Sequence, residues 1–150
     1  MELIIREITD DDFDGLQALY LHLHENTKLE KISRAKEVWD EILQNKNYHI
    51  LIGVLDGKII SSVTLVVVPN LTRCARPYAL IENVVTHPDH RGKGHATALM
   101  KKACDIAKES GCYKVMLLTG SRSESTLLFY ENCGFNRKDK TAFIKWLRDE

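Results

Sequence analysis

The sequence predicts an α/β chain of the mixed α+β kind, with one central, mostly antiparallel sheet and helices on both faces. Three observations carry that prediction. Two β-branched runs, Tyr48 to Leu55 and Lys58 to Val68, are joined by Asp56-Gly57, a dipeptide that tolerates the positive φ angles of a tight hairpin, so the runs pair antiparallel. A strand pattern from Tyr78 to Thr86, helical spacing from Gly94 to Ser110 and an apolar run from Tyr113 to Thr119 then follow in succession. That order is a βαβ unit, whose strands run parallel. Finally, 150 residues with 44% hydrophobic and 28% charged side chains suffice for one shared core, so residues 1–150 are expected to form a single domain.

Leu3 to Arg6 is a short β-rich run. Thr9-Asp10-Asp11-Asp12 then puts cap-type side chains ahead of Phe13, Leu16, Leu19, Tyr20 and Leu23, which recur at helical spacing. Ser33 is placed to cap a second helix carrying Ala35, Val38, Trp39, Ile42 and Leu43 on one face, broken at Asn45 to Asn47. After the hairpin, Pro69 to Pro77 is a polar, proline-bounded loop. In the long helix Ala96, Leu99, Met100, Ala103, Ile106 and Ala107 keep one face apolar, and Gly111 supplies the stop. Ser125 to Asn132 reads as a short helix and Thr141 to Leu147 as a last strand.

Composition narrows the function. The 21 basic residues balance the 21 acidic ones, so no uniform field attracts nucleic-acid phosphates or anionic lipid, and neither is an expected partner. Any anion must be bound locally. The four cysteines show no CxxC or CxxH spacing, which offers no zinc or redox framework, and their expected place is burial as small apolar residues in a reducing cytosol. MELIIREITDDD meets acidic residues before any long apolar run, and no stretch reaches the ~18 apolar residues of a membrane span. A soluble, cytoplasmic protein is the expectation.

The informative segment runs from Val84 to Thr97, where a strand ends, a glycine-rich turn follows and a helix begins. Gly92 and Gly94 remove side chains so that successive backbone N–H groups can converge on phosphate oxygens, and the first helical turn at His95, Ala96 and Thr97 adds unpaired donors. Arg91 and Lys93 add charge at the rim. A Walker loop is absent, because no GxxxxGK precedes a Ser or Thr here. A dinucleotide fingerprint would need a third glycine where Thr97 stands. Histidines 87, 90 and 95 are separated by the turn and joined by no nearby cysteine, so no metal is expected.

With Arg91, Gly94 and Ala96 in the pattern Arg, two residues, Gly, one residue, Gly or Ala, and with Phe129-Tyr130-Glu131-Asn132-Cys133-Gly134-Phe135 later in the chain, the sequence resembles the GNAT superfamily of N-acetyltransferases. The resemblance is sharp over residues 78 to 136. It implies a sheet that splays between two parallel strands, with acetyl-CoA as cosubstrate lying in the gap. Its pyrophosphate would rest on the backbone of Arg91, Gly92, Lys93, Gly94, His95, Ala96 and Thr97, and its pantetheine arm along Val84 and Val85 like an added strand. The resemblance further implies that Tyr130 donates a proton to the leaving sulfur, against a packing role beside Phe129 and Phe135. Glu82 stands as the acceptor of the amine proton or, equally, as a carboxylate that orients the substrate. Ser123 occupies the place where many relatives carry Asn, which shortens that side-chain contact to the cofactor.

The acceptor implied is the primary amine of a small molecule: an amino sugar, an aminophosphonate or another small amine. The stretch Ile81 to Val85 with Cys112-Tyr113-Lys114 is similar to enzymes that acetylate glucosamine 6-phosphate, although Asn83 stands where those usually have Asp. Arg73, Arg76, His22, His24 and Glu25 are candidate or merely solvated residues at the acceptor entrance. Two alternatives stay open: a protein N-acetyltransferase, and a non-catalytic acyl-CoA-binding module that acts as a sensor. The apolar Ala142, Phe143, Ile144, Trp146 and Leu147 would either close the core or join two copies as a homodimer.

Overall fold

Asp56 and Gly57 both adopt positive φ, 51° and 76°, and the hairpin they turn is the centre of the sheet. In the computed structural model, which describes residues 1–23 and 32–148 with the side chains of Ile32 and Ser33 excepted, β2 (Tyr48–Leu55) and β3 (Lys58–Val68) pair antiparallel. The boundaries are those the sequence predicts. β1 (Ile4–Glu7) adds to the β2 edge, β4 (Tyr78–Thr86) pairs antiparallel with β3, and β5 (Val115–Leu117) pairs parallel with β4. The five strands therefore lie in sequence order, antiparallel except for the last pair.

Helices cover both faces. α1 (Phe13–Tyr20) and α2 (Ile32–Gln44) pack on one side, where Leu16, Leu19 and Trp39 meet Ile50, Ile52 and Val85. Strand alternation sends Leu51, Val63, Leu65 and Ile81 to the other side. There α3 (His95–Glu109) packs on β2, β3 and β4 and presents Leu99, Met100, Ala103 and Ala107, all fully buried. At the start of α1 the Asp12 carboxylate accepts from two guanidinium nitrogens of Arg6 at 2.7 and 2.9 Å and from the Thr9 N–H at 2.7 Å. The Arg6 hydrogen bonds are the main reason the Asp12 carboxyl lies below its ordinary range.

The chain forms two compact units, Met1–Leu117 and Leu118–Glu150. The second holds α4 (Glu124–Asn132), where Arg137 reaches Glu124 at 2.9 Å and Glu131 at 2.6 Å.

Several expectations are corrected. Thr141 to Leu147 is not a strand: the backbone there has no ladder partner, and Phe143 and Leu147 are each 90% exposed. β-propensity can extend a segment, but only a neighbour makes it a strand. These residues therefore do not close a core. The run Tyr113 to Thr119 contributes only three residues to the sheet. The first helix opens as a 3-10 turn at Asp10–Asp12 and ends at Tyr20, short of Leu23, and the expected entrance residues His24 and Glu25 lie outside the described residues. So does the side chain of Ser33, and α2 already begins at Ile32. Inside the Pro69 to Pro77 loop, Arg73, Cys74 and Ala75 adopt left-handed φ of 55°, 59° and 59°. Cys74 is exposed and the other three cysteines are half-buried, so none is core.

Candidate functional site

The site begins where β4 loses a neighbour. Its pairing with β5 covers Ala79, Leu80 and Ile81 and stops at Ile81 opposite Leu117. Glu82 to Thr86 continue past that point with no partner on the β5 side among the described residues. On the β3 side the register also slips. Thr64 faces Glu82 but Ser62 faces Val85, so Asn83 and Val84 together oppose Val63 as a β-bulge. Asn83 takes the left-handed turn, φ 51°, a conformation asparagine tolerates better than most side chains.

The bulge decides which way the site residues point. Glu82 falls in one cross-strand row with Ile50 and Thr64 on the α1–α2 face. The one extra residue returns Val85 to that same face, where its side chain is buried in the core. Only the backbone of Val85 is left to meet a ligand. The fully buried Ser61 donates its hydroxyl to the Val85 carbonyl at 3.1 Å, and that hydroxyl lies 2.9 Å from Thr86 Oγ1. These contacts hold the strand end in place after the ladder has been interrupted.

Beyond Thr86 a 3-10 turn at Pro88–His90 leads to the glycine turn. The His87 ring accepts the Asp89 N–H at 3.1 Å through Nδ1. Arg91 Nε donates to the Thr86 carbonyl at 3.0 Å and Lys93 Nζ to the Asp89 carbonyl at 3.3 Å. Both cations thus brace the loop as well as charging it. Gly92 and Gly94 have φ of 73° and 83°, where an L side chain is strained, and a Cβ on either would meet no protein atom within 4 Å. It would project into open space above the turn. Gly94 caps α3 without any side-chain acceptor, and the N–H groups of His95, Ala96 and Thr97 have no intrahelical partner. Open space, converging N–H groups and a helix N-terminus suit a bound diphosphate. The residues present fit the anionic part of acetyl-CoA.

On the α1–α2 face, next to the bulge, lies a cavity of about 540 Å³ whose wall includes Phe13, Tyr20, Trp39, Tyr48, Ile50 and Asn83. Burial, and then the negative charge of Glu82, push the Tyr48 phenol above its ordinary pKa. Burial likewise raises Tyr20. No sequence motif marks these aromatic residues, which read simply as two helix faces and one strand.

Of the other predicted residues, Tyr130 and Ser123 lie in the second unit. Tyr130 is half-buried on α4, its ring 5.0 Å from that of Phe129, and its carbonyl accepts the Cys133 and Phe135 N–H groups. Ser123 precedes α4 with its hydroxyl 2.9 Å from that of Ser125. Of the loop arginines, Arg76 is directed at the Gly111 and Cys112 carbonyls and Arg73 stands over the Tyr113 ring. His22 packs edge-on against His87, ring centres 4.7 Å apart. Among the described residues no group of three His, Cys, Asp or Glu side chains could hold a metal ion, and no helix is long and apolar enough to cross a membrane.

The class these elements define is a mixed α/β protein with a bulged fourth strand that runs on past its parallel neighbour into a glycine turn and a helix N-terminus. Comparison with known proteins makes the class specific. Residues 10–135 match the acetyltransferase (GNAT) family, and the chain belongs to that family, whose members use acetyl-CoA. The chain is 40% identical over 84 residues to a glucosamine 6-phosphate N-acetyltransferase of Trypanosoma brucei brucei, covering 56% of this chain and 55% of that protein. It is 29% identical over 136 residues to glucosamine 6-phosphate N-acetyltransferase 1 of Dictyostelium discoideum, covering 89% and 84%. The chain thus spans little more than half the length of the trypanosome relative. A solved structure from Agrobacterium tumefaciens strain C58, provisionally assigned as an acetyltransferase, superposes with a TM-score of 0.88 at 37% identity, covering 95% of this chain and 99% of that one.

Proposed function

We propose that the protein is an N-acetyltransferase that moves the acetyl group of acetyl-CoA directly to the primary amine of a small molecule. The observation that carries this reading is the coincidence, within one strand and the turn after it, of a diphosphate cradle and a β4 edge without a partner. Bound acetyl-CoA supplies an activated thioester. The cradle from Arg91 to Thr97 holds the phosphates, and the free edge at Val84 and Val85 accepts the pantetheine amide groups as a strand would. A backbone N–H near Val85, on a strand end that the Ser61 hydroxyl anchors through the Val85 carbonyl, is assigned to polarise the acetyl carbonyl.

Two proton movements remain for side chains. Glu82, one row from the cavity and acting on Tyr48, is assigned to take the amine proton, directly or through water. Tyr130 is assigned to return a proton to the departing sulfur, and Ser123 to touch the cofactor arm. The matched glucosamine 6-phosphate enzymes support a small-molecule amine over a protein one. The spacing of the four cysteines, with no CxxC or CxxH pair, fits a cytoplasmic setting, and the exposed Phe143, Ile144, Trp146 and Leu147 support pairing of two copies.

The test is thiol release from acetyl-CoA across a panel of amines, with calorimetry of coenzyme A binding beside it. Tyr130→Phe should lower kcat by about 10²-fold while coenzyme A binds as before. Tight coenzyme A binding without amine-dependent release would instead identify a sensor, and absence of binding would remove the reading altogether.

A further inference from the structure

The wall of the 540 Å³ cavity decides what kind of amine it can hold. Its volume is that of a small-molecule site, and Asn83 of the bulge ties it to the end of β4 where the acetyl group is proposed to sit. Most of the wall is hydrocarbon: Phe13, Leu16, Val38, Ile42 and Ile50 are joined by the rings of Tyr20 and Trp39. Those two rings present carbon. Tyr20 Oη and Trp39 Nε1 are sealed from solvent, so neither atom is turned toward the space. The polar groups left in the wall are Gln17, Arg34, Tyr48 and Asn83.

A sugar phosphate is a poor match. Each hydroxyl enclosed without a partner loses its hydrogen bonds to water, and the described wall residues offer few partners. Its phosphate would need cations, and the only cation among the described wall residues is Arg34. That side chain is 65% exposed and already 3.3 Å from the Glu37 carboxylate. An amine on a hydrocarbon body has the opposite requirements: its body gains by leaving water, and its nitrogen needs only the Glu82 end of the site.

We infer that the acceptor is a primary amine carried on an aromatic or branched aliphatic body, without a phosphate. This rests on the transferase reading above and names its substrate class. The Glu82 carboxylate, in the same cross-strand row as the wall residue Ile50, opposes the ammonium group, and the aromatic wall holds the body.

The experiment compares 2-phenylethylamine and isopentylamine with glucosamine 6-phosphate, measured twice: by thiol release from acetyl-CoA, and by calorimetry of each amine in the presence of coenzyme A. The two hydrocarbon amines should show kcat/KM at least about tenfold above the sugar phosphate, and should bind with a negative heat-capacity change. Ala35→Phe, which fills the cavity from α2, should raise KM for 2-phenylethylamine at least about tenfold while coenzyme A affinity, reporting an intact fold, stays the same. Preference for glucosamine 6-phosphate, or an unchanged KM in Ala35→Phe, overturns the inference and leaves the transferase standing. Binding of 2-phenylethylamine that Ala35→Phe abolishes, without turnover of any amine, would uphold the pocket assignment and remove the enzymatic one. If neither the hydrocarbon amines nor the sugar phosphate binds, the inference falls as well.

Discussion

The two halves of β4 are built from similar residues and do different things. From Ala79 to Ile81 the strand is paired on both sides, with Ala79 and Ile81 buried under α3. From Glu82 to Thr86 it is paired on one side only, and that pairing is interrupted at Asn83 and Val84. The first half has no backbone group to offer a ligand. The second half has an open edge, a turned-out carboxylate and a bulge that rotates Val85 back into the core. What separates them is the end of β5 and one left-handed residue, not a change in composition.

If that contrast is functional, substitutions one residue apart should fail in different ways. Glu82→Gln should lower kcat/KM by about 10²–10³-fold, the range of a lost general base, with little change in melting temperature because the side chain is exposed. Ile81→Ala should do the reverse. Removing a 1% exposed isoleucine costs about 3 kcal/mol, visible as an earlier denaturation midpoint, while the folded fraction keeps its activity. A Glu82→Gln enzyme with normal kcat/KM would reassign Glu82 to orienting substrate or to nothing.

Much of this arrangement was legible in the letters. Asp56-Gly57 fixed both hairpin strands because a two-residue turn with two positive φ angles leaves one register. Gly92 and Gly94 were readable as a turn ahead of a helix, and both adopt the positive φ that favours glycine. The bulge was not legible, since it depends on how β4 registers against β3, and nothing within Ile81-Glu82-Asn83-Val84-Val85 announces the slip. The cavity was hidden for a related reason: Tyr48, Tyr20 and Trp39 come from three elements and share no spacing. The segment Thr141 to Leu147 failed as a strand because its alternation specified a conformation but no partner.

The bulge itself can be probed. Asn83→Val places a β-branched side chain at φ 51°, which should cost about 1–2 kcal/mol and lower kcat/KM as the strand end relaxes. Asn83→Gly accepts that φ and should retain both stability and activity. Equal behaviour of the two variants would mean that the left-handed turn is incidental.

The smallest effect concerns Tyr48, which feels the open half of β4 from two strands away. Its phenol is held above the ordinary value of 10.0 first by burial and then by the Glu82 carboxylate. Glu82→Gln should therefore move the Tyr48 titration downward, followed by carbon-13 tyrosine resonances, yet leave it above the ordinary value because burial persists. The sign for stability follows from the same shift. A phenol that binds its proton more tightly when folded stabilises the fold fully below pH 10 and loses that contribution as pH rises through its folded pKa. The wild-type chain should then lose stability more steeply on the alkaline limb than Glu82→Gln does. A Tyr48 resonance unmoved by the substitution would show that the carboxylate points away from the cavity, and would leave the open half of β4 without a charged group facing its acceptor.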